Sequence, residues 1–301
     1  MTGSELVERV RLYCDIAKVN GSLLSLSELL AILPEHSSEE ELQWAIRSNP
    51  ELDAKYELRS GFIIERSNSG SVLESTEQES RMRARSNLLH ALDVFPLLHS
   101  SEVLLLGVGG STSYNSASKS RDIDFFCVTR KGTLWLFLTR ALILSRAYRY
   151  LRSDVPDVCL SCTLDSGFAE ETFGRPRDPL FARDALSMVI VSGKGFYHRL
   201  LKKGSWISDV YPKLYATRMG KVEPAEPPRR EPTIAHRILN TFLYYLAGTY
   251  IRVKSRRLNT RLARQGRYDS LFTLLIGEDR CIYESVRYTK MRRMYESLGA
   301  K

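Results

Sequence analysis

The pattern of apolar and polar residues changes between Val103 and Thr129, where two neighbouring segments differ. The first, Val103–Leu106, is a continuous apolar run, which is typical of a strand buried on both faces. In the second, residues 122–128, Ile123, Phe125 and Cys127 alternate with Asp122, Asp124 and Phe126. This alternation predicts a strand with Asp122 and Asp124 on the same face.

The residues that join these two strands begin with glycines and a serine. The glycines at 107, 109 and 110 and Ser111 allow a sharp turn that exposes backbone N–H groups, which can hold phosphate. Two carboxylates on one strand can share a divalent metal ion. Together these features suit nucleotidyl transfer, in which metal ions stabilise the attacking and leaving oxygens. The alternative is a buried strand that ends in a Gly-rich turn beside a chance acidic pair.

Residues 1–66 predict three helices followed by a hairpin. Apolar residues recur at helical spacing between Leu6 and Ala17, and Ser25 begins a second helix with capping-box spacing. A third helix follows Ser37 or Ser38. Two short apolar runs then flank a turn at 59–61. This order predicts a winged-helix domain.

The third of these helices begins with three acidic residues, Glu39, Glu40 and Glu41. In a DNA-binding winged helix this helix enters the major groove between two rows of phosphates, which would repel the acidic residues. We therefore expect a packing module or a protein-interaction module rather than a DNA-binding one.

The remaining chain divides into a second domain at 76–170 and a helical C-terminal region at 171–301. A helix at 76–92 precedes the first strand and would steady the Gly-Ser turn, and a long helix follows Thr133. Residues 158–164 predict a third strand that ends at Asp165. The C-terminal region is predicted to hold helices at 177–201, 234–258 and 279–298, with a proline-rich linker near 223–232.

The chain resembles the nucleotidyltransferase superfamily of DNA polymerase beta and poly(A) polymerase, whose signature is Gly-Ser followed by Asp-x-Asp on the next strand. Gly110-Ser111 and Asp122-Ile123-Asp124 match this signature. Over nearly its whole length the chain also looks like a prokaryotic family that joins an N-terminal winged helix to such a domain. The resemblance implies an α/β (α+β) fold with a small mixed-sheet core.

The resemblance also implies roles for individual residues. Gly110 and Ser111 would hold the phosphates of a nucleoside triphosphate, and Asp122 and Asp124 would bind Mg²⁺ or Mn²⁺. In the superfamily a neighbouring strand supplies a third carboxylate that often acts as the base. This chain has no Asp in the middle of its third strand, and the candidates are Asp165, which we assign as catalytic, and Asp157. A silent nucleotide- or nucleic-acid-binding protein of the same fold is the alternative.

Composition changes this picture in three respects. The chain has 301 residues, of which 43% are hydrophobic, and its sequence contains no stretch that predicts a membrane span. Five dispersed cysteines and the absence of a leader pattern favour a cytoplasmic location. The net charge of +9 is uneven, since residues 1–66 hold seven Lys or Arg and twelve Asp or Glu, whereas 229–301 hold sixteen and six. The basic C-terminal region favours RNA or another anionic acceptor.

Aromatic residues lie among the arginines of the two last predicted helices. They are Phe242, Tyr244, Tyr245, Tyr250, Tyr283, Tyr288 and Tyr295. Such residues stack on bases in single-stranded nucleic acid, but at helical spacing they more often form core, which is the interpretation we favour.

Overall fold

The computed structural model describes residues 3–33, 38–67, 70–117, 122–152, 156–176, 178–220 and 232–299. Of the sequence features above, residues 223–231 of the proline-rich linker lie outside these ranges, as does Ser37.

The N-terminal domain has the order of helices and strands expected of a winged helix. In chain order its elements are α1 (Gly3–Asn20), β1 (Leu24–Ser25), α2 (Leu26–Ile32), α3 (Glu39–Ser48), α4 (Pro50–Lys55), β2 (Tyr56–Arg59) and β3 (Phe62–Glu65). The capping box is confirmed, because the Ser25 hydroxyl accepts from the Glu28 N–H while the Glu28 carboxylate accepts from the Ser25 N–H. Ser38 caps α3.

The predicted hairpin is also confirmed. Strands β2 and β3 pair antiparallel, and β1 pairs with the other edge of β3. The turn between β2 and β3 places Ser60 and Gly61 at positive φ, which suits this short connection.

The winged-helix domain shares its core with the C-terminal part of the chain. Tyr13 of α1 packs edge-on against Tyr295, with ring centroids 5.9 Å apart. The Lys213 ammonium donates a 2.8 Å hydrogen bond to the backbone oxygen of Leu33. Buried side chains of both regions form one continuous apolar cluster, so the winged helix is packed against the rest of the molecule.

The second part of the chain begins with helices and single strands in alternation, and continues with several consecutive helices and a pair of strands before its last helix. Its elements are α5 (Gly70–Leu98), β4 (Val103–Val108), α6 (Gly110–Ser113), β5 (Asp122–Thr129), α7 (Leu134–Leu151), β6 (Asp157–Asp165), α8 (Ser166–Gly174), α9 (Pro179–Ser187), β7 (Val189–Ser192), α10 (Lys194–Lys203), α11 (Trp206–Val210), α12 (Pro212–Met219), α13 (Ile234–Arg264), β8 (Phe272–Ile276), β9 (Arg280–Ser285) and α14 (Val286–Gly299).

The described strands of this part form one mixed sheet in the order β7-β4-β5-β6-β9-β8. Strands β5 and β6 are parallel, and the other neighbours are antiparallel. One face is covered by α5, α7 and α13, where Ile123, Phe125 and Cys127 are fully buried. The other face packs against the helices after β6 and against the winged helix. The chain therefore has the mixed α/β architecture expected from its sequence.

Two predicted helices differ from the structure because each includes a strand. Val189–Ser192 lies within the predicted helix at 177–201 and pairs with β4. Arg280–Ser285 begins the predicted helix at 279–298 and pairs with β6. A short apolar run does not distinguish helix from strand, and here pairing with a distant strand decides. The C-terminal region thus adds three strands to the central sheet.

The aromatic residues of α13 divide between core and surface. Tyr244 packs on Trp135, as the favoured interpretation expected. Phe242 and Tyr245 are 61% and 63% exposed, so for them the prediction of a core position is wrong. Among the described helices, none combines the length and the apolar character needed to cross a membrane.

Strand β4 provides a test of this core. Leu106 is fully buried between the two helical layers, whereas Leu89 on α5 is 63% exposed. We expect Leu106→Ala to lower the free energy of unfolding by about 2–5 kcal/mol, because it leaves a cavity that the sheet cannot close. Leu89→Ala should change it by less than about 0.5 kcal/mol. Urea denaturation followed by circular dichroism measures both, and equal effects would contradict the assigned core.

Candidate functional site

The Gly-Ser turn and the Asp-x-Asp strand meet because β4 and β5 pair antiparallel. Val108 at the end of β4 lies opposite Phe125. The backbone N–H of the next residue, Gly109, donates a 2.8 Å hydrogen bond to the backbone oxygen of Asp124. Gly110 follows at φ +58°. A Cβ added to Gly110 would lie 2.4 Å from Oδ2 of Asp124. The structure therefore brings Gly110 and Asp124 into direct contact, which sequence spacing suggested but did not fix.

Helix α5 holds the segment that follows this turn. Asn87 donates a 3.3 Å hydrogen bond to the hydroxyl of Thr112. The Ser80 hydroxyl donates a 2.9 Å bond to the backbone oxygen of Ala117. Both α5 side chains are buried. As expected of a helix that precedes the first strand, α5 thus contacts the segment that follows the Gly-Ser turn.

The two carboxylates of β5 lie in different surroundings. Asp122 is exposed, whereas Asp124 is half-buried. Burial and the nearby charge of Asp122 raise the pKa of Asp124 to about 6, against which hydrogen bonds from Cys159 and Ser161 act. A carboxylate in such surroundings is stabilised by any cation that approaches it. The pair is therefore suited to hold a positive charge at the start of β5.

The neighbouring strand β6 presents no carboxylate to Asp124. Its register with β5 sets Cys159 opposite Asp124 and Asp157 opposite Asp122. Burial and the adjacent Asp124 hold the pKa of the Cys159 thiol well above its usual range, so this side chain stays a neutral thiol. Asp157 forms an ion pair with Arg149 at 2.9 Å. Of the two candidates for a third carboxylate, only Asp157 lies beside the pair.

Asp165 does not join the pair, and its expected catalytic role is corrected. It lies opposite Thr129, six residues along β6 from Cys159, or about 20 Å away at ~3.3 Å per residue. Its carboxylate accepts a 2.9 Å hydrogen bond from the Phe168 N–H and so caps α8. The predicted alternation of β6 does not carry through to Asp165, because its register with β5 shifts by one residue between Asp124 and Phe126. Cys159 therefore shares the face of Asp124, whereas Asp165 lies on the other face.

The described residues contain no group of three or more His, Cys, Asp or Glu side chains arranged to hold a metal ion. Two carboxylates alone are sufficient for Mg²⁺ when phosphate oxygens and water complete its coordination. The residues present are thus compatible with a metal ion that arrives together with a nucleotide, but do not form a closed site for a permanently bound one.

A buried polar cluster beside the site was missed by the sequence analysis. The Tyr114 hydroxyl, four residues after Gly110, donates a hydrogen bond to the Asp184 carboxylate. The Arg183 guanidinium lies 4.8 Å from the centroid of the Tyr114 ring and donates a 2.8 Å bond to the Tyr295 hydroxyl. It also lies 5.8 Å from the ring of Tyr13 in the winged helix. No spacing pattern connects these four segments, so no sequence signal pointed to the cluster.

In comparisons with protein-family models, curated proteins and solved structures, nothing matches the chain. The resemblance to nucleotidyltransferases accordingly rests on its own residues and their geometry.

Gly110 and Gly109 provide a matched pair of substitutions. Gly110→Ala places a methyl group against the Asp124 carboxylate at a positive φ and should lower the free energy of unfolding by about 1–3 kcal/mol. Gly109 has φ −112°, and a Cβ there would meet nothing within 4 Å. Gly109→Ala should therefore be nearly neutral. Urea denaturation measures both variants, and a neutral Gly110→Ala would contradict the close approach of Gly110 to Asp124.

The raised pKa of Asp124 predicts a pH-dependent stability. Because its pKa is about 6 in the folded protein and ~3.9 in the unfolded chain, the folded state binds the proton more tightly. Asp124 therefore favours folding most at low pH, and this contribution is lost as the pH rises from about 4 to 6.

In a chelator-containing buffer, Asp124→Asn should become more stable relative to the wild type by up to about 3 kcal/mol between pH 4 and pH 7.5. Asp209→Asn, which changes an exposed carboxylate on α11, controls for the change in net charge. The raised pKa of Asp184 affects all three proteins equally. A stability difference between Asp124→Asn and wild type that does not change with pH would rule out the burial cost assigned to Asp124.

Proposed function

We propose that this protein is a metal-dependent nucleotidyltransferase that moves a nucleoside monophosphate from a nucleoside triphosphate to an acceptor hydroxyl and releases pyrophosphate. The observation that carries the proposal is the contact between Gly110 and Asp124. This contact joins the Gly-Ser turn and the Asp-x-Asp strand into one site, whereas each motif alone is weak evidence of function.

In this proposal the chain's own residues position the triphosphate. The backbone N–H groups of Gly110 and Ser111 bind the β- and γ-phosphates at the end of β4. The Asp122 and Asp124 carboxylates hold Mg²⁺ or Mn²⁺, with phosphate oxygens as further ligands. The bound metal ion neutralises charge on the phosphates and on the leaving pyrophosphate. The exposed position of Asp122 leaves the pair open to a nucleotide from solvent.

Activation of the acceptor hydroxyl is assigned to Asp157 or to a water molecule. Asp157 is supported by its register opposite Asp122, and its ion pair with Arg149 orients its side chain. Asp165 has no part in this step, because it caps α8 at the far end of β6.

A second function is favoured by one specific observation. The β6 neighbours that face Asp124 are Cys159 and Ser161, neither of which supplies a negative charge at neutral pH. A protein with this site could retain nucleotide binding after losing transfer. We therefore keep a catalytically silent nucleotide- or nucleic-acid-binding protein as the alternative.

The acceptor in this proposal is RNA or another anionic molecule. Support comes from the exposed arginines in the last three turns of α13, which are Arg256, Arg257, Arg261 and Arg264. The winged helix offers a separate surface for a protein partner, where Trp44 is 73% exposed beside the acidic start of α3. We place the reaction in the cytoplasm, since all five cysteines are free thiols.

Calorimetric titration tests the site before any acceptor is known. Each of the four nucleoside triphosphates is titrated with Mg²⁺ into the wild type and into the Asp122→Ala/Asp124→Ala variant. We expect one triphosphate to bind the wild type, and its affinity to fall at least ~100-fold in the variant, because both metal ligands are lost. If none binds, or if the variant binds equally well, the proposal fails.

Asp165→Ala is the matched control for this titration. It also removes a carboxylate from the same sheet, but it should bind the triphosphate like the wild type while losing about 1 kcal/mol of stability from the α8 cap. Incorporation of labelled nucleotide into cellular RNA or protein then separates an active transferase from a silent binding protein. Loss of incorporation in Asp157→Asn, with binding retained, would identify the base.

A further inference from the structure

The second half of α13 reaches the edge of the sheet at which the Asp122–Asp124 pair lies. Strands β5 and β6 both begin at this edge, and β9 runs antiparallel to β6, so that it ends there with Ser285. Phe272 lies opposite Ser285 and exchanges two hydrogen bonds, of 2.7 and 3.2 Å, with Asn259 of α13. Helix α13 therefore covers the face opposite the carboxylate pair, but its second half lies at the same edge as the pair.

Contacts of α7 connect this part of α13 with the site. Arg149, on a helix that also covers the opposite face, reaches the edge and pairs with Asp157 at 2.9 Å. About one turn earlier on α7, Arg146 donates a hydrogen bond to the Tyr250 hydroxyl of α13 and lies 5.0 Å from the centroid of the Tyr250 ring. Long cationic side chains from this helical layer can therefore reach groups on the carboxylate side of the sheet.

Lys254 is the cation of α13 that lies nearest to the carboxylate pair along these contacts. It follows Tyr250 by one turn and is exposed. Burial raises the pKa of the Cys159 thiol, and the charge of Lys254 acts against this rise, so the two side chains are near each other. Cys159 in turn lies opposite Asp124. Lys254 is therefore on the β6 side of the pair, whereas the Gly-Ser turn is on the β4 side.

Three arginines continue from Lys254 along one flank of α13. Arg257, Arg261 and Arg264 follow at steps of three and four residues, which keeps the four side chains in one row. The row is about 15 Å long at ~1.5 Å per residue. All four side chains are exposed. This row, which we call the basic flank, begins beside the site and leads away from it.

The charge of the basic flank is not neutralised within the described part of the chain. Helix α13 contains no Asp or Glu, and none of the four side chains forms an ion pair with another described residue. Helix α5 shows the more usual arrangement, in which Glu77 pairs with Arg81 and Glu79 with Arg83. A row of like charges repels itself, so an anion that extends along the row would stabilise it.

The position of the basic flank selects the kind of anion. In the proposed reaction the triphosphate occupies the Gly-Ser turn, and the acceptor hydroxyl approaches from β6, where Asp157 lies. A phosphodiester chain that ends in this hydroxyl presents a series of charges to a row of this length. One row of cations follows one backbone, which suits a single strand.

We propose that the basic flank binds the backbone of a single-stranded nucleic acid and directs its terminal hydroxyl to the Asp122–Asp124 pair. The acceptor role of the strand rests on the proposed function. Binding of the strand does not, because it can be measured without any transfer.

Fluorescence anisotropy with a short labelled single-stranded RNA measures this binding at several salt concentrations. With four phosphates contacted, the logarithm of the association constant should fall against that of the salt concentration with a slope of about −2.8, at ~0.7 per phosphate. Arg257→Gln/Arg261→Gln should reduce the slope to about −1.4 and weaken binding at least ~10-fold at low salt. The control Arg47→Gln/Lys202→Gln removes two exposed cations from α3 and α10 and should bind like the wild type.

Lys254→Gln tests on which side of the carboxylate pair the basic flank begins. The variant should bind the RNA ~5-fold more weakly but bind the triphosphate with Mg²⁺ like the wild type in the calorimetric titration. Loss of triphosphate binding in this variant would overturn the acceptor role, since Lys254 would then belong to the triphosphate site.

Unlabelled competitors test the preference for a single strand. Single-stranded DNA should displace the labelled RNA, because its backbone carries the same charges. A blunt-ended duplex that displaces the RNA equally well would overturn the assignment to a single strand.

The proposal is overturned outright if the wild type binds no RNA, or if Arg257→Gln/Arg261→Gln leaves the salt slope unchanged. The transferase proposal fails separately, when no triphosphate binds. In that case, RNA binding that depends on the basic flank would support the binding surface and overturn its acceptor role.

Discussion

The antiparallel pairing of β4 with β5 is the constraint on which the candidate site depends. At the end of this pairing, the Gly109 N–H donates a hydrogen bond to the backbone oxygen of Asp124. The next residue, Gly110, therefore lies against the Asp124 carboxylate. Only glycine allows both the positive φ and the close approach at position 110. Because β5 is central in the sheet and buried on one face by α7, its backbone holds Asp124 beside the turn. The turn and the Asp124 carboxylate are therefore in direct contact.

The same pairing links the site to the rest of the molecule. Tyr114 extends the turn into the buried cluster of Arg183 and Asp184, and Arg183 contacts Tyr13 of the winged helix. A displaced winged helix would thus alter the packing around the segment after Gly110. The contact between Arg183 and Tyr13 thus helps to hold the N-terminal domain against the core. The third helix of that domain, α3, begins with acidic residues that do not suit DNA binding.

The two strands of the candidate site differ in the side chains that they supply, since β5 carries the carboxylate pair and β6 faces Asp124 with neutral groups. Burial and repulsion from Asp122 raise the pKa of Asp124, and perturbed pKa values of this kind are common for side chains with a functional role. On β6, by contrast, a neutral thiol and a hydroxyl face Asp124, and the only adjacent carboxylate, Asp157, pairs with Arg149. Binding of a metal-nucleotide complex places fewer demands on this arrangement than transfer does, because transfer also requires a base in reach of the acceptor.

The sequence by itself determined the features that depend on local pattern. These are the capping box at Ser25, the hairpin, the alternation that puts Asp122 and Asp124 on one face, and the mixed α/β architecture. Only the tertiary structure decided which short apolar runs are strands, that Asp165 caps a helix far from the carboxylate pair, and that Phe242 and Tyr245 are exposed. The reason is physical, since periodicity records which way a side chain points, whereas pairing register and burial depend on segments distant in the chain.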